Sequence, residues 1–415
     1  MNSQYDVVII GGGVIGVCSA YDLVQKGLSV LLIEKGEIAS GCSYGNGGLI
    51  VPSHSVPLAS PGALGDGLRW LLDPESPFYI KPRLNMELFN WLIRFVLASR
   101  RDVMLRSLPV LRDLLLSSAA LYDELARTAD FEFGYEGKGA LWVCLSKERL
   151  EHEKKEINLF EKFNMPVQLM DQDEVHHLEP ALLPNVVGGV YYPRDGHIDP
   201  ARFVVGLAEK ARGLGVQLWT KTEAMGFETS NSRITRIRTT RGELHPKQVI
   251  LAAGAWSPDV ARSLRLRIPI QAAKGYSVTL EKPDPSPKMP LLFGEARVVV
   301  NPLGDALRLA GTLEMAGMDL SFNRHRLDAI RKSSSDYLPG LAEANVIEIW
   351  RGLRPCTPDG LPIISRSKDF DNLIVAAGHA MLGMSLGPVT GRLVSQLVCN
   401  ERTEFDLNPM RMERF

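Results

Sequence analysis

Cysteine is sparse in this chain. Its 415 residues include five, Cys18, Cys42, Cys144, Cys356 and Cys399, with no CxxC pair and no Cys/His cluster. That pattern excludes a disulfide framework and a zinc-ligand set, and it fits a reducing cytoplasm. An excess of one charge is missing too. With 47 basic and 48 acidic side chains the formal net charge is −1, which gives no general attraction to nucleic acid or to an anionic membrane. Membrane-span and signal-peptide patterns are absent as well. The first apolar run follows Met1-Asn2-Ser3-Gln4, which carries no positive side chain, and it is consumed by a glycine turn. The other, Leu373 to Val389, is interrupted by Gly378, His379, Gly383 and Gly387, with Gly391 just beyond. The chain reads as soluble and cytoplasmic, with a peripheral contact on the inner face of a membrane left open. No internal repeat or low-complexity tract is evident. The length suggests two or three domains, and 45% hydrophobic with 23% charged residues is ordinary for a globular protein.

What is present begins at once. Tyr5 to Ile10 form an apolar strand, Gly11-Gly12-Gly13-Val14-Ile15-Gly16 a glycine turn, and Leu28 to Glu34 a second strand after a helical stretch. Gly11 permits the turn, Gly13 lets backbone approach a pyrophosphate, and Gly16 lets the helix lie close on the strand. Glu34 is placed for a carboxylate that accepts both ribose hydroxyls and repels a 2′-phosphate. The unit reads as a dinucleotide site, with FAD and NAD both open.

The rest alternates between two kinds of sequence. A small-residue loop spans Ser40 to Gly48, and irregular proline-rich sequence runs from Pro52 to Pro82. Residues 86–127 predict one or two amphipathic helices, with Leu88, Trp91, Leu92, Phe95 and Val96 at helical spacing and Pro109 breaking the run. Trp91 and Phe95 read as core residues, with membrane contact the alternative. A strand over Gly139–Leu145 precedes a charged helix to residue 163. Asp199 as N-cap and Pro200 at the first position start a helix ending near Gly213. Val216–Trp219 is a strand, Ile234–Thr239 and Gly242–His245 read as a meander, and Val249–Gly254 is a buried strand. Tyr276–Leu280, Arg297–Val300 and Ala306–Ala310 suggest an antiparallel sheet. Leu373–Gly378, a glycine-rich turn and a helix to about Val398 close the chain. Such interleaving predicts two intertwined domains.

Four blocks, in order along nearly the whole chain, resemble the FAD-dependent D-amino-acid oxidase superfamily, which also contains glycine and sarcosine oxidases. They are Val8–Gly16 with Glu34; Asp195-Gly196-His197-Ile198-Asp199-Pro200; Leu251-Ala252-Ala253-Gly254-Ala255-Trp256-Ser257; and Trp350 to Gly360 followed by Gly378-His379. Within it the chain is similar to the bacterial D-amino-acid dehydrogenase small subunits, through Asn46-Gly47-Gly48, Ala59-Ser60-Pro61-Gly62 and Lys274-Gly275-Tyr276-Ser277. The resemblance implies an α/β (α+β overall) fold: a Rossmann-like FAD-binding domain of glutathione-reductase type (residues 1–60, 190–265 and 346–415) interleaved with an antiparallel-sheet substrate domain (61–189 and 266–345). It selects noncovalent FAD over NAD. The FAD site it implies comprises Gly11, Gly13, Val14, Ile15, Gly16, Glu34 and Lys35; Ser43, Asn46 and Gly47; Ala253 and Gly254; and Gly378, His379, Gly383, Met384 and Ser385.

The implied reaction is oxidative deamination of a D-amino acid: hydride passes from Cα to flavin N5, the imino acid hydrolyses to a 2-oxo acid, and the electrons go to a quinone or another non-oxygen acceptor. Arg354, in the Gly-Leu-Arg-Pro block, corresponds to the family's carboxylate clamp, a role that suits the forked guanidinium. Tyr276 either adds a phenolic hydrogen bond to that carboxylate or packs. Alternation puts Arg351 on the opposite face from Arg354, a structural position, and Tyr44 and His54 read as structural. His379 reads as a flavin contact rather than an acid or base. Gly352 stands roughly where sarcosine oxidases attach flavin to cysteine. Leu307-Arg308-Leu309-Ala310-Gly311 lacks the lysine those oxidases use with oxygen, which favours a dehydrogenase. The alternatives are a dehydrogenase of D-proline or hydroxy-D-proline, a glycine- or sarcosine-type oxidase, and a noncatalytic subunit of a larger dehydrogenase. A homo- or hetero-oligomer is open, and no nucleic-acid partner is expected.

Overall fold

A computed structural model describes residues 4–62 and 78–415. The central strands are apolar on both faces because both faces are covered. Parallel strands Gln217–Trp219, Val30–Ile33, Gln4–Ile10, Gly242–Leu251 and Leu373–Ala377 lie side by side in that order. Ile10 is level with Ile33 and with Leu251, which is level with Val375, so the strands end along one rim, where such sheets take ligands. Val7 and Ile9 point to the layer of helices Val14–Gln25, Pro200–Gly213 and Gly383–Val398. Val8 and Ile10 alternate to the other face, against Ile234, Ile237 and Leu244.

Among the described residues the second sheet has nine strands. From its edge it runs Val346–Cys356, Gln271–Glu281, Ala306–Met315, Val298–Leu303, Leu291–Phe293, Ala140–Cys144, Gly188–Tyr192 and Gln168–Asp171, with Phe78–Ile80 paired to the third of these. It is mainly antiparallel, and helix Arg324–Ser334 packs Leu327 and Ile330 on Val278, Leu280 and Leu309.

Several expectations are corrected. The Gly242–His245 and Val249–Gly254 segments form one strand, Gly242–Leu251, whose first half pairs antiparallel with Arg233–Thr239 and whose second half joins the parallel core. Strand Ala224–Ser230 and helix Arg324–Ser334 were not foreseen. Pro109 does not break its helix. The break falls at Ser99–Arg100, between helices Met86–Ala98 and Arg101–Thr128. An internal proline costs about 3 kcal/mol, but burial of Leu108, Leu111, Leu114 and Leu115 returns roughly 1.5–3 kcal/mol each.

The expected domain boundaries shift for the same reason of pairing. Residues 346–356 belong to the second sheet through Gln271–Glu281, and residues 190–192 sit in strand Gly188–Tyr192 of that sheet. Helix Arg101–Thr128, expected with the substrate domain, packs on the nucleotide-side helices: the Tyr122 hydroxyl donates to the Met384 carbonyl at 2.8 Å. Residues 63–77 of the proline-rich stretch lie outside the described residues.

Candidate active site

A cavity of about 620 Å³ opens along the rim of the parallel strands and reaches the second sheet. Residues far apart in sequence form its wall. Gly11, Gly13, Val14, Ile15, Glu34 and Lys35 come from the N-terminal unit; Ser43 and Asn46 from the following loop; Ala253 and Gly254 from the strand end; and Gly378, His379, Gly383 and Met384 from the C-terminal unit. Three expected members stand behind the wall. Gly16 packs on the first turn, where an added Cβ would meet the Gly11 carbonyl oxygen at 1.9 Å. Ser385 Oγ donates to the Leu49 carbonyl at 2.9 Å and accepts from Val51 N–H at 3.2 Å. Gly47 presents its carbonyl to Asn301 at 2.9 Å.

The Glu34 carboxylate is oriented by backbone, accepting from Gly12 N–H at 2.7 Å and from Gly36 N–H at 2.8 Å. Lys35 places its ammonium 4.0 Å from the Trp256 ring centroid. Ser43 Oγ accepts from Val14 N–H at 3.0 Å, joining the loop to the helix start. The loop itself hangs from the second sheet by consecutive carbonyls. Arg308 Nη1 donates to Tyr44 and to Asn46, each at 3.2 Å, Ser277 Oγ donates to Gly45 at 3.0 Å, and Asn301 takes Gly47. Arg308 is buried, donates also to Thr279 Oγ1 at 3.1 Å, and approaches Glu348 at 3.6 Å.

Arg354 lies two residues before Cys356 in the edge strand, opposite Ala273. Its guanidinium rests over Gly275, where a Cβ would fall 2.2 Å from Nη1, and Nη1 donates to the Thr312 carbonyl at 2.5 Å. Among the described residues no carboxylate forms an ion pair with it. Burial pulls its pKa below the usual guanidinium value, and the neighbouring thiols of Cys42 and Cys356 oppose that shift. Burial pushes Cys356 itself up to about 12, so near neutral pH this thiol does not neutralise the guanidinium. A largely buried cation without a counter-ion is costly, and such sites are completed by an anion.

Tyr276 is not brought together with Arg354. The strand register pairs it with Arg351, on the other face, and its hydroxyl donates to Glu314 at 3.0 Å. Lys274 and Arg326 approach the same Glu314, at 3.7 and 3.9 Å. Arg351, expected to be structural, does share the cavity wall; its Nε donates to the Leu320 carbonyl at 2.7 Å and it lies over the Phe322 ring. His379 is buried, faces Thr390 Oγ1 at 3.0 Å, and is pushed down to about 3 by desolvation. Tyr44 is exposed, gives its carbonyl to Arg308 and bonds Glu348 through its phenol, whose pKa that carboxylate raises, and His54 is pulled down to about 4 by burial and by Arg297. Sequence reasoning missed Arg308, Cys42, Thr222 and Leu320. Trp256 stood inside a recognised block, yet only the cavity shows its place.

Residues 6–397 match the family model described as DAO, FAD dependent oxidoreductase. The chain belongs to this family. A D-amino acid dehydrogenase of Vibrio atlanticus is 31% identical over 99% of this chain and all of its own length. A D-amino-acid oxidase of Bradyrhizobium diazoefficiens is 31% identical over 99% and 98% of the two chains. Among solved structures, glycine oxidase from Geobacillus kaustophilus superposes with a TM-score of 0.82 at 24% identity over both full chains. L-proline dehydrogenase from P. horikoshii reaches 0.78 at 21% identity, covering 100% and 98%. This FAD-dependent oxidoreductase has a cavity that fits the cofactor. A helix start without an acidic residue in its first turn, a fixed carboxylate 18 residues beyond Gly16, and a long wall that includes the Arg351 guanidinium meet the needs of pyrophosphate, ribose and an adjoining anion in turn, while Arg354 stands behind that wall, beside its lining residue Cys42.

Proposed function

We propose that this FAD-dependent oxidoreductase oxidatively deaminates D-amino acids, with Arg354 as the clamp on the substrate carboxylate, and delivers the electrons to a quinone-type acceptor rather than to oxygen. The observation that carries the reading is Arg354, a largely buried guanidinium with donors to spare and no acidic partner among the described residues. The names borne by full-length relatives support the substrate class.

Gly11 to Ile15 and Ser43 would hold the pyrophosphate, Glu34 the ribose, and Ala253, Gly254, Gly378 and Met384 the remaining wall. When bound, FAD supplies the two-electron oxidant for the Cα–N bond. The chain's own residues supply orientation. Arg354 forks onto the carboxylate, held in place by the Thr312 carbonyl and by its flat seat on Gly275. His379, kept neutral, shapes the wall without exchanging protons near neutral pH. The imino acid released needs only water to become the 2-oxo acid and ammonia.

The acceptor assignment rests on the second sheet. Arg308 and Ala310 share the face that carries the 44–47 loop, and strand Ala306–Met315 holds no lysine to offer the cavity. Lys274 on the neighbouring strand points to the opposite face, donating to the Ser321 carbonyl at 2.9 Å.

Anaerobic mixing of the yellow holoenzyme with D- and L-amino acids and cyclic amines tests the reading. Bleaching of the flavin band by D-amino acids is expected, and no bleaching by any of them would overturn it. In air, peroxide production as fast as reduction of a quinone analogue would overturn the acceptor assignment. Arg354→Ala should retain FAD and lose about 2–5 kcal/mol of transition-state binding, roughly 30- to 5000-fold in kcat/KM, with Arg354→Lys recovering part of it. Loss of FAD on that substitution would make Arg354 structural.

A further inference from the structure

Residues 408–414 run along strand Ile363–Arg366, which pairs with Leu373–Ala377 in the first sheet. Met410 enters the core on one face of that sheet and Met412 the core on the other. Met412 N–H donates to Ser365 Oγ at 3.1 Å. This anchorage delivers Arg414 to Asp359 with both side chains largely buried, at 13% and 15% exposure. Arg414 Nε donates to Asp359 Oδ2 at 2.6 Å and Nη2 to Oδ1 at 3.0 Å. Nη2 also reaches the Leu361 carbonyl at 2.7 Å, and Nη1 the Arg411 carbonyl at 2.9 Å. Such a forked contact fixes orientation as well as charge.

What the fork holds is the turn from Thr357 to Leu361. Thr357 Oγ1 donates to the same Leu361 carbonyl at 2.8 Å, and Leu361 N–H donates to Asp359 Oδ1 at 3.1 Å. Gly360 takes a φ of +79° against Pro57 and Leu58, where a Cβ would fall 3.0 Å from the Leu58 nitrogen. The turn has little room to shift on that side. Its first residues lean on the cofactor cavity. A Cβ at Gly378, where φ is +83°, would fall 2.5 Å from the Thr357 methyl. Cys356 bridges to His379, and the Pro355 carbonyl accepts from Ala380 N–H at 2.9 Å. Gly378, His379 and Ala380 all line the cavity. Arg354 is held differently, by the register that sets it opposite Ala273 and by its seat on Gly275.

We infer that Arg414 is a positioning residue for the FAD site: through Asp359 and the Leu361 carbonyl it fixes the 357–361 turn, and Thr357 in turn fixes Gly378 and His379 in the cavity wall. The fork therefore sets how tightly the cofactor is held and leaves the substrate clamp alone. An exposed pair of this kind would contribute little. This one is largely shielded, shares its carbonyl with Thr357, and stands one residue contact from the wall. The inference rests on the proposed reading of Gly378 and His379 as flavin-side wall, and not on the identity of the substrate.

Flavin-fluorescence titration of the full-chain apoprotein with FAD tests this. Arg414→Ala should raise the Kd for FAD about tenfold, and Asp359→Asn by a similar factor. Arg414→Ala/Asp359→Asn should bind no more weakly than the worse single variant, because both changes remove one contact. Arg414→Lys keeps the charge without the fork, so its Kd should fall between those of the wild type and Arg414→Ala; it also carries the test if Arg414→Ala does not fold. Arg411→Ala, a half-exposed position in the same segment, should bind FAD like the wild type. At saturating FAD, the amino-acid concentration that half-bleaches Arg414→Ala should equal that of the wild type. The inference is overturned by a Kd for folded Arg414→Ala within about twofold of wild type, or by additive losses in the double variant. A raised half-bleaching concentration overturns it as well, since the fork would then act on the clamp. His379→Ala separates the two readings. Weaker FAD binding there beside an unchanged Arg414→Ala sinks the role of Arg414 alone, whereas unchanged binding in both sinks the wall assignment.

Discussion

His54, His379 and Asp195 are buried ionisable side chains, and they pull stability in opposite directions with pH. Burial holds His379 at about 3 and, with Arg297, His54 at about 4, against roughly 6.5 in an unfolded chain. Below that value the unfolded state takes up protons that the folded state refuses. Their contribution is therefore complete above pH 6.5 and declines as pH falls toward 4 and then 3. Asp195 is the reverse. Burial pushes it to about 7, although Ser53 donates to it through both N–H and hydroxyl. The folded state holds that proton longer, so its contribution is present below about 4 and is lost as pH rises through 7. Thermal melting followed from pH 4 to 8 should show both slopes. His379→Gln should flatten the acid limb, and Asp195→Asn the neutral one. An unchanged acid limb in His379→Gln would show that the imidazole is protonated in the folded protein.

At the scale of elements, what could be read from sequence was what a local pattern can encode. The central strands are covered on both sides and so appear as unbroken apolar runs, and the Asp199-Pro200 start of helix Pro200–Gly213 is a chain-local capping event, with Asp199 accepting from Ala201 and Arg202 N–H. Helix Arg324–Ser334 escaped notice because its inward stripe is little more than Leu327 and Ile330 among basic and serine residues. The second sheet's strands run longer than their apolar cores because Lys274, Arg308 and Glu314 are buried in them, and their partners lie elsewhere in the chain. The same applies to the candidate site. Its turns are visible as motifs, whereas the hold of Arg308 on Tyr44 and Asn46 joins residues more than 260 positions apart. That hold has a measurable consequence. Arg308→Ala removes the donor for two loop carbonyls and should weaken FAD binding by about 1–3 kcal/mol, roughly five- to 150-fold in Kd by flavin-fluorescence titration of the apoprotein. Unchanged affinity would show that the loop holds its shape without the sheet.

The whole molecule should respond to FAD as one unit. The cavity draws on segments near residues 10–46, 252–260 and 351–384, so only the fully folded chain can present it. At a hundredfold excess over Kd, cofactor adds about 2.7 kcal/mol, a rise of roughly 3 °C in Tm for 415 residues. Because the chain passes repeatedly between the sheets, a single transition is expected with and without FAD. Two resolved transitions in calorimetry would show that the layers unfold separately.

Strand Gly242–Leu251 slots between Gln4–Ile10 and Leu373–Ala377 in the first sheet, and this bears on how the protein is made. The N-terminal strand–helix–strand unit emerges early from the ribosome but stays without its central neighbours for most of synthesis. At about 5–20 residues per second, roughly 12–48 s separate the first strand from the arrival of its neighbour Gly242–Leu251. During that interval a bare parallel edge is exposed, of the kind that chaperones shield. The cofactor cavity, whose wall includes Ala376 to Ala380, Gly383 and Met384, is complete only after strand Leu373–Ala377 and the turn behind it have been made.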